Sequence, residues 1–135
     1  MTARRVDQGM AVAASRALPA KVDKELRTRY RQLRVMLHTA GLAATYAYIA
    51  SKARETGDGQ DKLAKAYQEA RVGIQVCLKA AGLLADDKAS ARDVLTRLGQ
   101  MKPAEYARAG AEAAAFMSWL SRLADAEWQE SDNRA

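Results

Sequence analysis

The chain holds one cysteine, one histidine and two prolines among its 135 residues. Each shortage excludes something. A lone Cys77 cannot close an intrachain disulfide, which fits a reducing compartment. A lone His38 cannot build a zinc site with one distant cysteine. No apolar run approaches the roughly 20 residues that span a bilayer. The early stretch "MAVAASRAL" is a weak apolar core interrupted by Arg16, so it does not read as a signal peptide. The "GDG" of Gly57–Gly59 has no strand before it and no Lys-Ser/Thr after it, so no phosphate loop is present. Asp86–Asp87 is the one adjacent acidic pair, and it sits just ahead of a helix, where N-capping explains it better than metal binding. Cys77 falls on an apolar helix stripe, as a structural thiol does and a nucleophile does not. These absences predict a soluble cytoplasmic protein with no catalytic residues, no metal, no cofactor and no membrane contact.

What remains is helix. Apolar residues recur with a period near 3.5, and no segment alternates strictly. The fold class expected is all-α: a compact bundle of about five to six helices, no sheet, one domain over 1–135, with a frayed tail at about 129–135. A first helix is expected over Val6–Leu18, where Pro19 interrupts or kinks it. A second spans Val22–Thr39, with Leu26, Tyr30, Leu33 and Leu37 on one face. Gly41 ends it by accepting a left-handed conformation. A third covers Leu42–Arg54, with the stripe Leu42, Tyr46, Ile49 and Ala53. The loop "TGDGQD" follows. A fourth covers Asp61–Ala81, its stripe Leu63, Tyr67, Ala70, Ile74, Cys77 and Ala81, closed by Gly82. A short helix uses Val94, Leu95 and Leu98. Gly99 and Pro103 punctuate the next break, Pro103 suiting a first-turn position. The last helix runs over Ala104–Trp128, with Tyr106, Ala109, Ala113, Phe116, Leu120 and Leu123 inward.

The charge is lopsided. Residues 1–60 carry eleven Lys/Arg and five Asp/Glu, 11 − 5 = +6, while residues 61–135 carry eleven of each. The whole net charge of +6 therefore lies in the N-terminal half, which points to an anionic partner. On the second helix, Lys24, Arg27, Arg31, Arg34 and His38 fall within about 80° of one another, beside the apolar stripe. Arg29 falls at the edge of the stripe, where its stem packs and its head reaches out. A solvated face normally mixes signs. Here neighbours repel, and arginine outnumbers lysine, which suits phosphate recognition. Two partners fit such a ridge, a nucleic acid or an acidic protein. His38 is either a titratable contact or a cation placed well near a helix C-terminus. Trp119, beside the stripe of the last helix, suits a core or interface position rather than a base-stacking platform.

Two segments then resemble a known family. "RTRYRQLRVMLHTAGLAATYAYIASKA" is similar to a segment of the small α-helical subunit of the Cmr complex, the type III-B CRISPR effector, at Tyr30, Gly41, Leu42, Thr45, Ser51 and Lys52. "EYARAGAEAAAFMSWLSRLADAEW" matches its last helix at Glu105, Tyr106, Arg108, Phe116, Trp119, Leu120, Arg122, Leu123 and Ala124. Where the family often carries Pro-Asn near the turn, this chain has "MLHTAGL". The resemblance implies a non-catalytic subunit that stacks with copies of itself beside other effector subunits. It also implies that the subunit helps hold target RNA paired to crRNA, with base pairing reading sequence. The expected RNA contacts are Lys24, Arg27, Arg31 and Arg34, with Lys52, Arg54 and Arg122 secondary. The alternatives are an adaptor docking an acidic partner, or the small subunit of the related type III-A complex. A DNA-reading helix-turn-helix is disfavoured, because "LAATYAYIA" offers few polar base-reading side chains.

Overall fold

A computed structural model describes residues 3–54 and 61–134, with side chains described over 8–54 and 62–128. Six helices follow in order: α1 (Ala3–Ala17), α2 (Lys24–Ala40), α3 (Leu42–Ala53), α4 (Asp61–Ala80), α5 (Ala91–Gln100) and α6 (Pro103–Arg134). Among the described residues there is no strand, so the all-α expectation holds. The long α6 is the spine of the bundle. It packs along α2, α1 and α4, while α3 packs on α4 and α5.

The apolar stripes are where the period placed them. Leu26, Tyr30, Leu33 and Leu37 of α2 are buried, as are Leu42, Tyr46 and Ile49 of α3. Tyr67, Ala70, Ile74 and Cys77 of α4 meet Ala109, Ala113, Phe116 and Leu120 of α6 in the same core. The helices approach closely at Gly73, where a Cβ would overlap the Phe116 ring. Glycine in a helix interior costs about 1 kcal/mol against alanine. Here it makes room for an aromatic ring of the neighbouring helix.

Several ends differ from the expected boundaries, for local reasons. α1 stops before Pro19 instead of kinking at it, because the residue ahead of a proline disfavours helical backbone. α2 begins after Asp23, whose carboxylate accepts the Leu26 N–H at 2.8 Å. α5 is capped by Ser90, which accepts the Asp93 N–H at 3.1 Å. Asp86–Asp87 therefore caps nothing. Asp86 instead accepts from the Lys88 N–H at 2.8 Å and closes a local turn. Gly99 lies inside α5, and the break falls at Met101–Lys102. Pro103 is the first residue of α6. Glu105 reaches back to accept the Lys102 N–H at 3.1 Å, half of a capping box. Gly82 closes α4 at φ 78°. The Leu83 N–H bonds to the Leu78 carbonyl at 2.9 Å, a Schellman ending. The expected loop over Thr56–Asp61 lies outside the described residues except for Asp61, which opens α4. The frayed tail expected at 129–135 falls where side chains are not described, and the helix is continuous through Arg134.

The joint between α2 and α3 is one residue long. Gly41 is both the C-cap of α2 and the N-cap of α3, with φ 91° and ψ 172°. That is not the left-handed helical region expected. It is an extended positive-φ region, open essentially to glycine alone, and it lets α3 start at the next residue. With no side chain at the N-cap, α3 is capped from outside. The Ala43 N–H donates to the Tyr106 hydroxyl of α6 at 2.9 Å. The two sequence segments that carry the family resemblance meet at this bond.

Candidate functional site

The basic ridge of α2 forms, but it is not a row of free cations. Asp125, at the far end of α6, reaches across to it. Arg27 Nε donates to Asp125 Oδ1 at 2.7 Å, and Arg31 Nη2 approaches the same oxygen at 3.2 Å. The Arg27 guanidinium also lies 4.4 Å from the centroid of the Trp128 ring, a cation–π contact. Burial alone would raise the Asp125 carboxyl. The two arginine hydrogen bonds outweigh it and hold the group below its ordinary value. The repulsion between Arg27 and Arg31 is thus relieved within the molecule. These two arginines fasten α2 to α6.

The rest of the ridge is open. Lys24, Arg34 and His38 are exposed and form no ion pair with any described residue. Arg29 turns away and pairs with Glu25 at 3.5 Å. Because Arg27 meets the C-terminal part of α6 while Gly41 meets Tyr106, the two helices run antiparallel. Three residues on from Arg31 and three back from Asp125 bring Arg34 and the exposed Arg122 to one level, about 4.5 Å along the seam. Among the residues whose side chains are described, helix geometry groups Lys24, Arg27, Arg31, Arg34 and Arg122 along the seam, where Asp125 is the one carboxylate paired to them. Lys52 and Arg54 are not brought to it. They lie at the C-terminal end of α3, with the Lys52 ammonium 5.7 Å from the Tyr48 ring centroid.

A second basic feature was not legible from the ridge pattern. Arg71 of α4 is held by three hydrogen bonds to uncharged partners. Its Nε donates to Gln68 at 3.0 Å, and its Nη1 donates to Gln75 Oε1 at 2.7 Å and to the Tyr46 hydroxyl at 3.2 Å. Gln75 is 1% exposed. Its amide donates to the carbonyls of Asp87 and Ala89 at 3.2 and 2.9 Å, which sets its oxygen toward Arg71 and Tyr46. Only a mid-helix glutamine on an otherwise apolar sector hints at this network.

Other charged residues serve the scaffold. Lys62 pairs with the cap Asp23 at 2.8 Å. Arg97 pairs with Glu105 at 3.1 Å. Arg108 donates to the Ala81 carbonyl at 2.8 Å, at the end of α4. Cys77 is buried, its thiol 3.9 Å from the Met10 sulfur, and burial pushes its pKa up to about 12. It is the structural thiol expected. Trp119 is half-buried against the core. Among the described residues no group of His, Cys, Asp or Glu could hold a metal ion, and no helix is long and apolar enough to cross a membrane.

Comparison with known proteins gives one match. The family described as CRISPR-associated protein (Cas_Cmr5) matches over residues 3–127, from the start of α1 to the α2–α6 seam. No curated protein and no solved structure matches.

Proposed function

From the premise that the chain belongs to the Cas_Cmr5 family, and so is a small subunit of the type III-B CRISPR Cmr complex that partners other Cmr subunits, we propose that the α2–α6 seam holds RNA. In this reading the subunit is non-catalytic and cytoplasmic, one domain over 1–135. It stacks with copies of itself and steadies target RNA against crRNA through phosphate contacts, while base pairing reads the sequence. The observation that carries the reading is the charge excess of the seam among the described residues, where of five cations only Arg27 and Arg31 pair with a carboxylate.

The seam divides the labour. Arg27 and Arg31 are half-spent on Asp125 and set the surface's shape. Lys24, Arg34 and Arg122 are the charges left unpaired among the described residues. The test reverses Lys24, Arg34 and Arg122 to Glu, which leaves the Asp125 pairs intact. Three phosphate contacts predict a log–log salt slope near −2 for single-stranded RNA, at about −0.7 per contact. The folded triple variant should lose that slope and most of its affinity for the crRNA–target duplex, alone or in the assembled complex. Wild-type binding by this variant would overturn the proposal.

A protein partner on the same helix has its own support. Val35 is 58% exposed. With Met36, Gln32, Thr28 and Thr39 it lines a shallow, largely apolar surface of α2 beside Arg31. That surface suits a neighbouring subunit, and an adaptor that docks an acidic partner would use it. Subunit binding that is lost in Val35→Asp without any RNA present would favour this second reading.

A further inference from the structure

We propose that the groove between α3, α4 and α5 is a phosphate-binding site, with Arg54, Arg71 and Arg92 as its ligating cations and an RNA strand as the source of the phosphate. The source, though not the site, rests on the reading that this subunit holds RNA.

The groove has a volume of about 660 Å³ and is lined by those three arginines with Ser51 and Ser90. Its three helices lie outside the α2–α6 seam, and each contributes one guanidinium. No acidic side chain lines it among the described residues. Arg54 and Arg92 make no ion pair with any described residue. Three positive charges share one concavity with no described carboxylate paired to them, and such a surface gains most from an oxyanion.

Arg71 shows that the site is built in advance. Arg71 is half-buried, and a charge drawn out of water is commonly paired with an opposite one. Here its anchors, Gln68, Gln75 and Tyr46, fix the planar fork without cancelling its charge. The Gln75 amide, tied to two backbone carbonyls, fixes it in turn. The Arg71 Nη2 group has no partner among the described residues and remains for a ligand. Less ordering is then left for the binding step, which is the source of affinity in preorganised sites.

The start of α5 adds to this. Ser90 satisfies the Asp93 N–H with its side chain and the Val94 N–H with its carbonyl. The first-turn N–H groups of Ala91 and Arg92, both at the groove, have no acceptor among the described residues. Free amides at a helix N-terminus favour tetrahedral oxyanions. The volume falls in the range of small-molecule sites and exceeds what one carboxylate would fill, so a phosphate with its sugar fits better than an acidic side chain.

The experiment titrates the 15N-labelled full chain with inorganic phosphate, then with a short single-stranded RNA, following the Ala91 and Arg92 amides and the Arg71 Nε–H. Saturable shifts confined to these signals, with a dissociation constant on the order of millimolar for phosphate, are expected. Arg92→Gln should weaken the response roughly tenfold, the worth of one charge-assisted hydrogen bond. It removes an exposed side chain that no bond holds, so folding is not at stake. Arg71→Gln should do the same. Absence of saturable shifts in the wild type, or equal shifts in Arg92→Gln and Arg54→Gln, would overturn the site. Phosphate shifts that RNA neither reproduces nor displaces would overturn RNA as the source. So would displacement by polyglutamate but not by RNA. None of these outcomes depends on the seam, which the Lys24, Arg34 and Arg122 reversals test separately.

Discussion

Replacing Asp125 by asparagine should move stability and RNA affinity in opposite directions. The substitution keeps the size of the side chain and removes its charge. In the wild type, two guanidiniums converge on one carboxylate oxygen at 2.7 and 3.2 Å. Hydrogen bonds to a charged group are worth about 1.5–3 kcal/mol. The pair is partly open, with Arg27 19% and Asp125 33% exposed, and exposed ion pairs contribute about 1 kcal/mol or less. The Asp125→Asn variant should therefore lose about 1 kcal/mol, a fall of roughly 2–5 °C in Tm for a chain near this size. The pH dependence gives an independent check. The Asp125 carboxyl is held below its ordinary value, so its contribution is present above the unfolded pKa of about 4 and is lost as pH falls through the lower folded value. The asparagine variant should lack this acid-side loss. Meanwhile Arg27 and Arg31 are released. If both then reach phosphates, the RNA salt slope should steepen from near −2 toward about −3.5. Thermal melts across pH 2.5–7 and fluorescence anisotropy across a salt series read the two effects. Lower stability with an unchanged slope and affinity would refute the release of Arg27 and Arg31 to RNA and show that these two arginines serve the scaffold only.

Three further outcomes follow from single contacts. Tyr106→Phe removes the acceptor of the Ala43 N–H and should cost about 1 kcal/mol in urea denaturation; a cost near zero would mean that α3 is capped by water. Tyr30→Phe should be neutral or stabilising, because the buried Tyr30 hydroxyl has no hydrogen-bond partner among the described residues and its desolvation is uncompensated; a loss above about 1 kcal/mol would contradict that. Cys77 should resist thiol reagents at pH 8, with labelling limited by unfolding, since burial raises its thiol pKa to about 12; rapid labelling of the native protein would refute its placement.

The helices and their buried faces were legible because a 3.6-residue period leaves its mark on every turn. Leu26, Tyr30, Leu33 and Leu37 could be assigned inward without knowing what they would meet. Ends were less legible, because caps compete locally. Asp86–Asp87 and Ser90 all look like caps, and only the path of the chain selects Ser90. The ridge was legible as charge and illegible as chemistry. Its decisive partner, Asp125, lies 98 residues from Arg27, and no local pattern joins two such positions. The groove was hidden for the same reason. Arg54 was expected as a secondary RNA contact, but Arg71 and Arg92 come from two other helices, and each of these alone reads as an ordinary surface cation.

The one-residue joint at Gly41 has a consequence for how this shape can change. A linker of several residues spreads an angle over many rotations, so many substitutions can alter it slightly. Here the turn between α2 and α3 is made by the two dihedrals of Gly41 and one bond from Tyr106, with α3 held in place beyond it by its packing on α4 and α5. The exposed positions of both helices can vary in charge and size without turning one arm against the other. A change at Gly41 or Tyr106 would turn them together, and every surface that the two helices carry would turn with them.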